Sequence, residues 1–309
     1  RRVLDTEKVE IFLSGSSARL LSREVATSMR GRAMELLLHP FSFREYLRHH
    51  RIEPPADPKF VPKAQRSRLE RAFGDYLATG GFPEAQGLAA RDRVVLLQGY
   101  VDTCIFRDVV ERHGITNVVA LRRLVRQLLG AATGQFSVSK FYHDLRSQGV
   151  PVAKDALHQM LAHLEDAFLV RLVPLATSSE RQRQVNPRKV YPVDPALIPA
   201  FDRSGKANLG HALETAVLIE LQRRGCDAGY VFTPGGFEVD FLATEPGGGR
   251  TLMQVAADLS DKTTRAREFR ALRDALPAYR RTQALLLTLT GGDVHAAQTD
   301  APVGVTVRT

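Results

Sequence analysis

The sequence predicts a multi-domain α/β protein, and its length and its changing hydrophobic period support this. A chain of 309 residues that is 44% hydrophobic can bury more than one core. Helical and strand-like periods also alternate in blocks along the chain, which indicates several folding segments rather than one. We predict four segments, in the order 1–50, 51–116, 117–178 and 185–309.

The first segment alternates strand and helix patterns. Residues 9-VEIFLSG-15 become fully apolar, as a buried strand does, and they run into Ser-Gly-Ser-Ser ahead of a predicted helix at 18–30. A second strand is predicted at 34–43 and a short helix at 43–50. A strand, a small polar turn and a helix bearing arginines are typical of folds that handle phosphate.

The second segment is predicted to be a helical connector. It opens with a loop at 51–63 that carries four prolines, and helices are predicted at 65–78 and 92–112. The turn 79-TGGFPEA-85 separates these helices.

The third segment has the rhythm of a winged helix-turn-helix. Leucine and valine residues stripe a first helix after 117, and a second helix at 136–149 ends at Gly149. A third helix at 153–166 and a strand at 168–176 follow, so the third helix is the predicted recognition helix. Lys154, His158 and His163 lie on its polar side. A plain helical bundle with a solvated charged face has the same periodicity, and both interpretations stay open.

A polar, basic connection is predicted at 177–194. Four cations lie close together in it: Arg181, Arg183, Arg188 and Lys189. Such a run is usually a solvated link, but it could also lie along a nucleic-acid backbone through contacts that carry no sequence information.

The last segment reads as helix, three strands, helix and strand, an α/β unit of domain size. It places Glu214 on a helix, Asp240 in an apolar strand and Gln254 in the next strand. Metal-dependent nucleases of the restriction-enzyme type bring a helix Glu, a strand Asp and a strand Glu/Gln-x-Lys to one sheet edge, where carboxylates bind Mg²⁺. An acid in an apolar strand is costly to bury unless it is paired or metal-bound.

The lysine of that nuclease pattern is absent from its usual place. Ala256 stands there, and Lys262 in the following turn is a candidate substitute. Two interpretations remain: a nuclease-like domain without catalysis, or a site in which Glu214 and Asp240 bind a metal.

Composition and motifs indicate which partners, cellular setting and cofactors to expect. With 43 Lys+Arg against 34 Asp+Glu, the net charge of +9 favours nucleic acid as a partner. The sequence contains no apolar run long enough for a membrane span and no signal peptide, so no membrane partner is expected. Two cysteines exclude a disulfide framework and indicate a reducing, cytoplasmic setting. No phosphate-binding Gly-x-x-x-x-Gly-Lys-Ser/Thr loop occurs, so tight ATP binding by this chain is not expected.

A set of strings is spread over nearly the whole chain: 11-IFLSGSSARLLSREVATSMRGR-32, 38-LHPFSFREYL-47, 79-TGGFP-83, 100-YVDTCIFRDVVERHGI-115, 165-EDAFLV-170, 213-LE-214, 238-EVDF-241 and 254-QVAADLSDKTTRARE-268. In these strings and their order, the chain resembles a group of bacterial and archaeal AAA-superfamily ATPases that pair a nucleotide-binding domain with a C-terminal domain of unknown function.

The resemblance implies a partial AAA-type core at 1–50 and also supports the winged helix and the nuclease-like domain. Ser14 or Ser16 would touch the γ-phosphate or the attacking water, and Arg32 would read the γ-phosphate, a surface ion pair being its alternative role. ATP and Mg²⁺ would be cofactors of the full-length protein. The phosphate-binding loop would lie upstream of residue 1, which implies a truncated, proteolysed or split chain.

Three functions follow from these observations. The first is a nucleotide-regulated nucleic-acid-binding portion of an ATPase, with a nuclease-like domain that lacks catalysis. The second is a Mg²⁺-dependent nuclease that uses Glu214, Asp240 and Gln254. The third is a scaffold that docks a protein partner or another copy of itself, so a homo-oligomer is one of the expected assemblies.

Overall fold

A computed structural model describes residues 9, 10, 12, 14, 15, 34, 36–53, 61–202 and 208–309. The chain forms two compact units. The helical unit contains Gly99–Val125 and Val138–Arg171, together with the described residues before His39. The sheet unit contains His39–Gln98, Arg126–Ser137 and the described residues of Leu172–Thr309. The unit boundaries therefore pass through the predicted 117–178 segment.

Helices and strands alternate through the described residues, which confirms a mixed α/β fold. The helices are α1 Phe43–His49, α2 Lys63–Thr79, α3 Ala90–Thr103, α4 Val118–Gly130, α5 Val138–Ser147, α6 Lys154–Asp166, α7 Glu180–Val185, α8 Leu197–Phe201, α9 Leu209–Arg223, α10 Lys262–Ala275 and α11 Gly291–Gln298. The strands are β1 Gln135–Phe136, β2 Val170–Val173, β3 Arg188–Pro192, β4 Asp227–Phe232, β5 Glu238–Thr244, β6 Arg250–Val255, β7 Gln283–Leu287 and β8 Val305–Arg308. Every helix among these residues is too short or too polar to span a lipid bilayer.

The helical unit follows the predicted hydrophobic stripes. Leu121, Leu124 and Val125 of α4 are buried at the spacing of one helix face. The helix predicted at 92–112 is observed as α3, which continues into a π-helical segment, Cys104–Glu111. Gly149 follows α5 with a φ of +73°, a conformation that suits glycine and ends the helix as predicted.

The N-terminal strands are not observed where the residues are described. Val9, Phe12 and Ser14 lie in no regular element and are exposed, and Phe12 is 90% exposed. Residues 36–42, predicted as part of a strand, are also irregular, and α1 begins at Phe43 with a capping box from Ser42. A strand needs a neighbour to satisfy its backbone, and within the described ranges neither sheet includes these residues.

The main sheet of the sheet unit has the strand order β4-β5-β6-β7-β8. Strands β4, β5 and β6 are antiparallel, as expected for consecutive strands joined by tight turns. Strands β6, β7 and β8 are parallel, and α10 and α11 form the crossovers that parallel pairing requires. The sequence predicts β4 to β7 and α10 close to their observed bounds, but it does not predict α11 and β8.

Two hydrophobic clusters lie on the two faces of this sheet. One contains Leu213 and Leu218 of α9, and the other contains Phe269 and Leu272 of α10. Successive side chains of a strand point to opposite faces, and the neighbours 252 and 253 of β6 accordingly join different clusters. The sheet is therefore covered by α9 on one face and by α10 on the other.

A second, three-stranded sheet has the order β1-β3-β2, and it corrects the prediction of a polar connection at 177–194. That region forms α7 and β3 instead. Strand β3 pairs antiparallel with β1, and its residues Lys189, Val190 and Tyr191 are buried. Charge counts alone suggested a solvated link, but the strand gains a paired backbone and burial of its apolar residues.

The turn 79-TGGFP-83 is held by close backbone contacts. The Gly81 N–H donates to the buried carboxylate of Asp194 at 2.7 Å, and Phe41 and Gly81 share a backbone hydrogen bond. Burial raises the pKa of Asp194 to about 6, although the N–H groups of Gly81 and Ala196 oppose this by stabilising the carboxylate. A Cβ atom at Gly81 would lie 2.4 Å from the carbonyl oxygen of Phe41, so this contact needs glycine.

We expect Gly81→Ala to lower the free energy of unfolding by roughly 1–3 kcal/mol, because backbone atoms must move to admit the methyl group. Gly74→Ala is the matched control, since nothing lies within 4 Å of its Cβ in the interior of α2. The control should be neutral or should stabilise by up to about 1 kcal/mol, because alanine favours helix. Urea unfolding of both variants measures this, and equal effects would contradict the assignment.

Candidate functional site

Four charged side chains meet at one end of the main sheet, and we call them the carboxylate–lysine cluster. The Nζ atom of Lys189 lies 2.6 Å from Glu214 Oε1, 2.9 Å from Glu238 Oε1 and 3.0 Å from Asp240 Oδ1. The Lys189 side chain is only 3% exposed, and those of Glu214 and Asp240 are 10% exposed. Charges so deeply buried must be paired, which the geometry achieves.

Three elements bring the cluster together. Glu238 and Asp240 are two residues apart on β5, so both side chains leave the strand on the same side. Glu214 comes from the second turn of α9. Lys189 comes from β3, where it pairs with Gln135 of β1, and the Gln135 side chain donates to Glu238 Oε2 at 2.6 Å.

A shell of hydrogen bonds fixes the carboxylate of Asp240. Its Oδ2 atom accepts from the backbone N–H of Val255 at 2.9 Å, and its own N–H donates to Gln254 Oε1 at 3.3 Å. The amide of Gln254 donates in turn to Glu268 Oε2 at 2.7 Å. The other oxygen of Glu268 accepts from the guanidinium of Arg267 at 2.6 Å. The cluster is thus connected through Gln254 to α10.

Burial and neighbouring charges shift the pKa values of Glu214 and Lys189. Burial raises the pKa of Glu214, and the neighbouring charge of Asp240 raises it further. Hydrogen bonds from Lys189 and from the Tyr191 hydroxyl, which lies 2.6 Å from Glu214 Oε1, act in the opposite direction. Burial acts to lower the pKa of Lys189, but Asp240, Glu214 and Glu238 outweigh it, and the pKa rises above its ordinary value. The lysine is therefore a cation at any physiological pH.

The cluster does not fit a divalent metal as it stands. The oxygens of Glu214 and Asp240 that face the centre are bound by the ammonium of Lys189, and the other oxygen of Asp240 is bound by a backbone N–H. A hard cation such as Mg²⁺ needs several free oxygens around it. Within the described ranges, no group of three His, Cys, Asp or Glu side chains could hold a metal ion.

The three residues singled out by the nuclease pattern lie close together. Glu214 and Asp240 both accept from the ammonium of Lys189, and the backbone N–H of Asp240 donates to the side-chain oxygen of Gln254. Ala256 is buried and Lys262 is exposed at the first residue of α10, so the cation comes from β3 instead. Whether Glu214 and Asp240 ever bind metal stays a prediction.

The residues predicted to contact nucleic acid lie in different places. Lys154 and His158 are exposed on α6, and Arg181 is exposed on α7. Arg183 lies 3.9 Å from Asp227, and Arg188 is half-buried on β3. Lys189 is buried, so its ammonium cannot reach a phosphate as the sequence analysis expected.

The residues predicted to sense nucleotide are only partly described. Ser14 is exposed, and Ser16 and Arg32 lie outside the described residues. Their roles toward the γ-phosphate stay predictions.

Sequence reasoning missed four members of the site: Lys189 as a partner of carboxylates, Tyr191, Glu238 and Glu268. Two signals were present. The string 238-EVD-240 places two acids on one side of a strand, and 188-RKVYP-192 places two apolar residues inside a basic run. Nothing local shows that these two strings meet.

Two family models match parts of the chain. Residues 1–47 match the AAA domain family, and residues 70–208 match a domain of unknown function, DUF8612. The second match includes β3 and Lys189 but ends before Glu214 and Asp240. The N-terminal part is therefore similar to an AAA ATPase domain.

Two relatives cover most of the chain. It is 30% identical over 279 residues to the Uncharacterized protein MJ1544 of Methanocaldococcus jannaschii, which covers 89% of this chain and 61% of that protein. It is 28% identical over 237 residues to an uncharacterized protein of Haemophilus influenzae, which covers 76% of this chain and 56% of that protein. The chain thus spans about 60% of the length of these relatives. No solved structure matches it.

We expect Lys189→Met to lower the free energy of unfolding by roughly 3–5 kcal/mol, because three carboxylates lose the cation that they share. Lys154→Met is the control, since that lysine is exposed on α6, and its effect should stay within about 0.5 kcal/mol. Chemical denaturation of the full chain at pH 7 measures both. A Lys189 variant as stable as the control would refute the buried ion cluster.

We expect the stability of the wild type to fall relative to Glu214→Gln as the pH rises from the ordinary carboxyl pKa of 4.5. The pKa of Glu214 is raised in the folded protein, so the unfolded chain releases this proton first and the folded state loses its advantage with rising pH. Unfolding free energies of both proteins from pH 4 to pH 8 give the difference. A gap that stays constant, or one that favours the wild type as the pH rises, would mean that Lys189 outweighs burial at Glu214.

Proposed function

We propose that this chain is the nucleic-acid-binding portion of an AAA-type ATPase, with a nuclease-like domain in which a lysine stands in place of the metal. The observation that carries the proposal is the contact of Lys189 Nζ with Glu214, Glu238 and Asp240. Two acids and a Gln from a helix and two adjacent strands are the elements of a Mg²⁺-dependent phosphodiesterase site. Here an internal ammonium binds the carboxylates of both acids, which favours a site that keeps its architecture without cleaving nucleic acid.

The element order supports a winged helix in the middle of the chain. Helix α4 is followed by β1, then α5 and α6, then β2 and β3, and the strands pair in the order β1-β3-β2. Three helices with a three-stranded sheet in this order are the parts of a winged helix-turn-helix. Helix α6, with Lys154 and His158 exposed, would then be its recognition helix.

Net charge supports a nucleic-acid partner. The chain carries a net charge of +9. Exposed lysine and arginine residues that bind phosphates displace the counterions of the nucleic acid, which favours binding. The match of residues 1–47 to the AAA domain supports regulation by a nucleotide, with ATP and Mg²⁺ as cofactors of the full-length protein. In this proposal Ser14, Ser16 and Arg32 respond to the γ-phosphate.

We expect the full chain to bind a fluorescent 20-base-pair DNA duplex with an affinity that falls steeply with salt, because phosphate contacts release counterions. The same DNA should stay intact with Mg²⁺ or Mn²⁺, because Lys189 fills the acidic site. Fluorescence anisotropy from 50 to 300 mM KCl and gel analysis of the DNA measure these two properties.

The two measurements separate the three candidate functions. Cleavage by the wild type that Asp240→Ala abolishes would overturn the non-catalytic assignment and favour a Mg²⁺-dependent nuclease. The absence of binding at every salt concentration would reject the nucleic-acid function and leave a protein scaffold.

A further inference from the structure

Helix α10 carries an exposed row of arginines. Arg267, Arg270 and Arg273 are all exposed and follow one another at intervals of three residues. A helix turns by 100° per residue, so three residues turn by 300° and leave the next arginine about 60° short of a full turn. The three arginines therefore occupy one side of the helix. We call this row, Arg267, Arg270 and Arg273, the arginine face.

We infer that the arginine face binds the phosphate backbone of a nucleic acid, with Arg267 at the end that adjoins the carboxylate–lysine cluster. The inference rests on the proposed nucleic-acid function and specifies its surface. Six residues of helix rise by about 9 Å. Guanidinium groups spread over this length can contact neighbouring phosphates of one nucleic-acid strand.

The inward charges of α10 are buried within the fold, whereas the arginine face is exposed. Arg265 is buried and donates to Asp300 and to the carbonyl oxygens of Leu259 and Ser260. Glu268 is buried and accepts from Gln254. The helix therefore uses one cation and one anion to hold the fold, and its remaining arginines project outward.

Positive charge prevails on the outward side. Arg270 lies 5.6 Å from the ring centroid of Phe237, a contact that orients the guanidinium without neutralising it. Asp274 lies next to Arg273 near the C-terminal end of α10, and one of its oxygens accepts from the backbone N–H of Gly235 at 2.9 Å. Arg267 contacts Glu268 but stays 72% exposed. The exposed cations Lys262, Arg280 and Arg281 extend the basic surface beyond both ends of the face.

Hydrogen bonds connect one end of the arginine face to the carboxylate–lysine cluster. Arg267 contacts Glu268, which accepts from Gln254, and Gln254 accepts from the backbone N–H of Asp240. A phosphate bound at Arg267 would therefore lie beside the residues that a nuclease of this pattern uses on its substrate. Because Lys189 holds those carboxylates, the surface would retain the nucleic acid without cutting it.

The test compares three triple variants of the full chain, each of which lowers the net charge by three. The first is Arg267→Ala, Arg270→Ala and Arg273→Ala on the arginine face. The second alters the cations predicted from sequence, by Lys154→Ala, Arg181→Ala and Arg183→Ala. The third is a control with exposed arginines elsewhere on the sheet unit, Arg44→Ala, Arg68→Ala and Arg224→Ala.

We expect the arginine-face variant to bind the labelled DNA duplex at least about tenfold more weakly than the control variant in 100 mM KCl, since three phosphate contacts are lost. The slope of log affinity against log salt should decrease by about 0.9 for each lost contact, or by about 2–3 in total. Circular dichroism and thermal unfolding verify that each variant is folded, and single substitutions at Arg270 and Arg273 replace the triple variant if it is not.

The other outcomes overturn the inference in distinguishable ways. Equal weakening of all three variants would show that net charge alone attracts the DNA. Loss of binding only in the second variant would move the surface to α6 and α7 and leave the proposed function intact. Absence of binding by the wild type would reject the surface and the proposed function together.

Discussion

The ammonium of Lys189, buried between three carboxylates, is the constraint on which the geometry of the sheet unit depends. Removing an ion from water costs several kcal/mol, so the cluster persists only if every charge is paired with good geometry. The pairing requires β3, α9 and β5 to meet within hydrogen-bond distance at one end of the sheet. A buried ion cluster of this kind specifies an arrangement more than it adds to stability.

The same constraint occupies the polar side chains that the sequence singles out. Glu214, Asp240 and Gln254 come together at one end of the sheet. The ammonium of Lys189 contacts both carboxylates, and the backbone N–H of Val255 donates to the remaining oxygen of Asp240. These contacts hold β3, α9, β5 and β6 together.

The cluster and the exposed face of α10 form one continuous network. Gln254 and Glu268 connect Asp240 to Arg267, so a charge bound at the surface would be felt electrostatically inside the cluster. The surface of α10 and the interior of the sheet unit are therefore electrostatically coupled. The similarity of residues 1–47 to an AAA domain places this network in a chain that also resembles a nucleotide-driven protein.

Local periodicity alone was sufficient to predict the leucine stripe of α4 and the strands β4 to β7 with α10. These features depend on the spacing of residues within one element, which the sequence contains directly. The grouping of Glu214, Asp240 and Gln254, on three different elements, was predicted from their order and residue types instead. Only the tertiary structure decided the place of Lys189 and the existence of β3, because burial of a charged run depends on partners 25 and 51 residues away. Of the strand predicted at 9–15, the described residues 9, 10, 12, 14 and 15 lie in no strand, and a strand is stable only where other segments supply its hydrogen bonds.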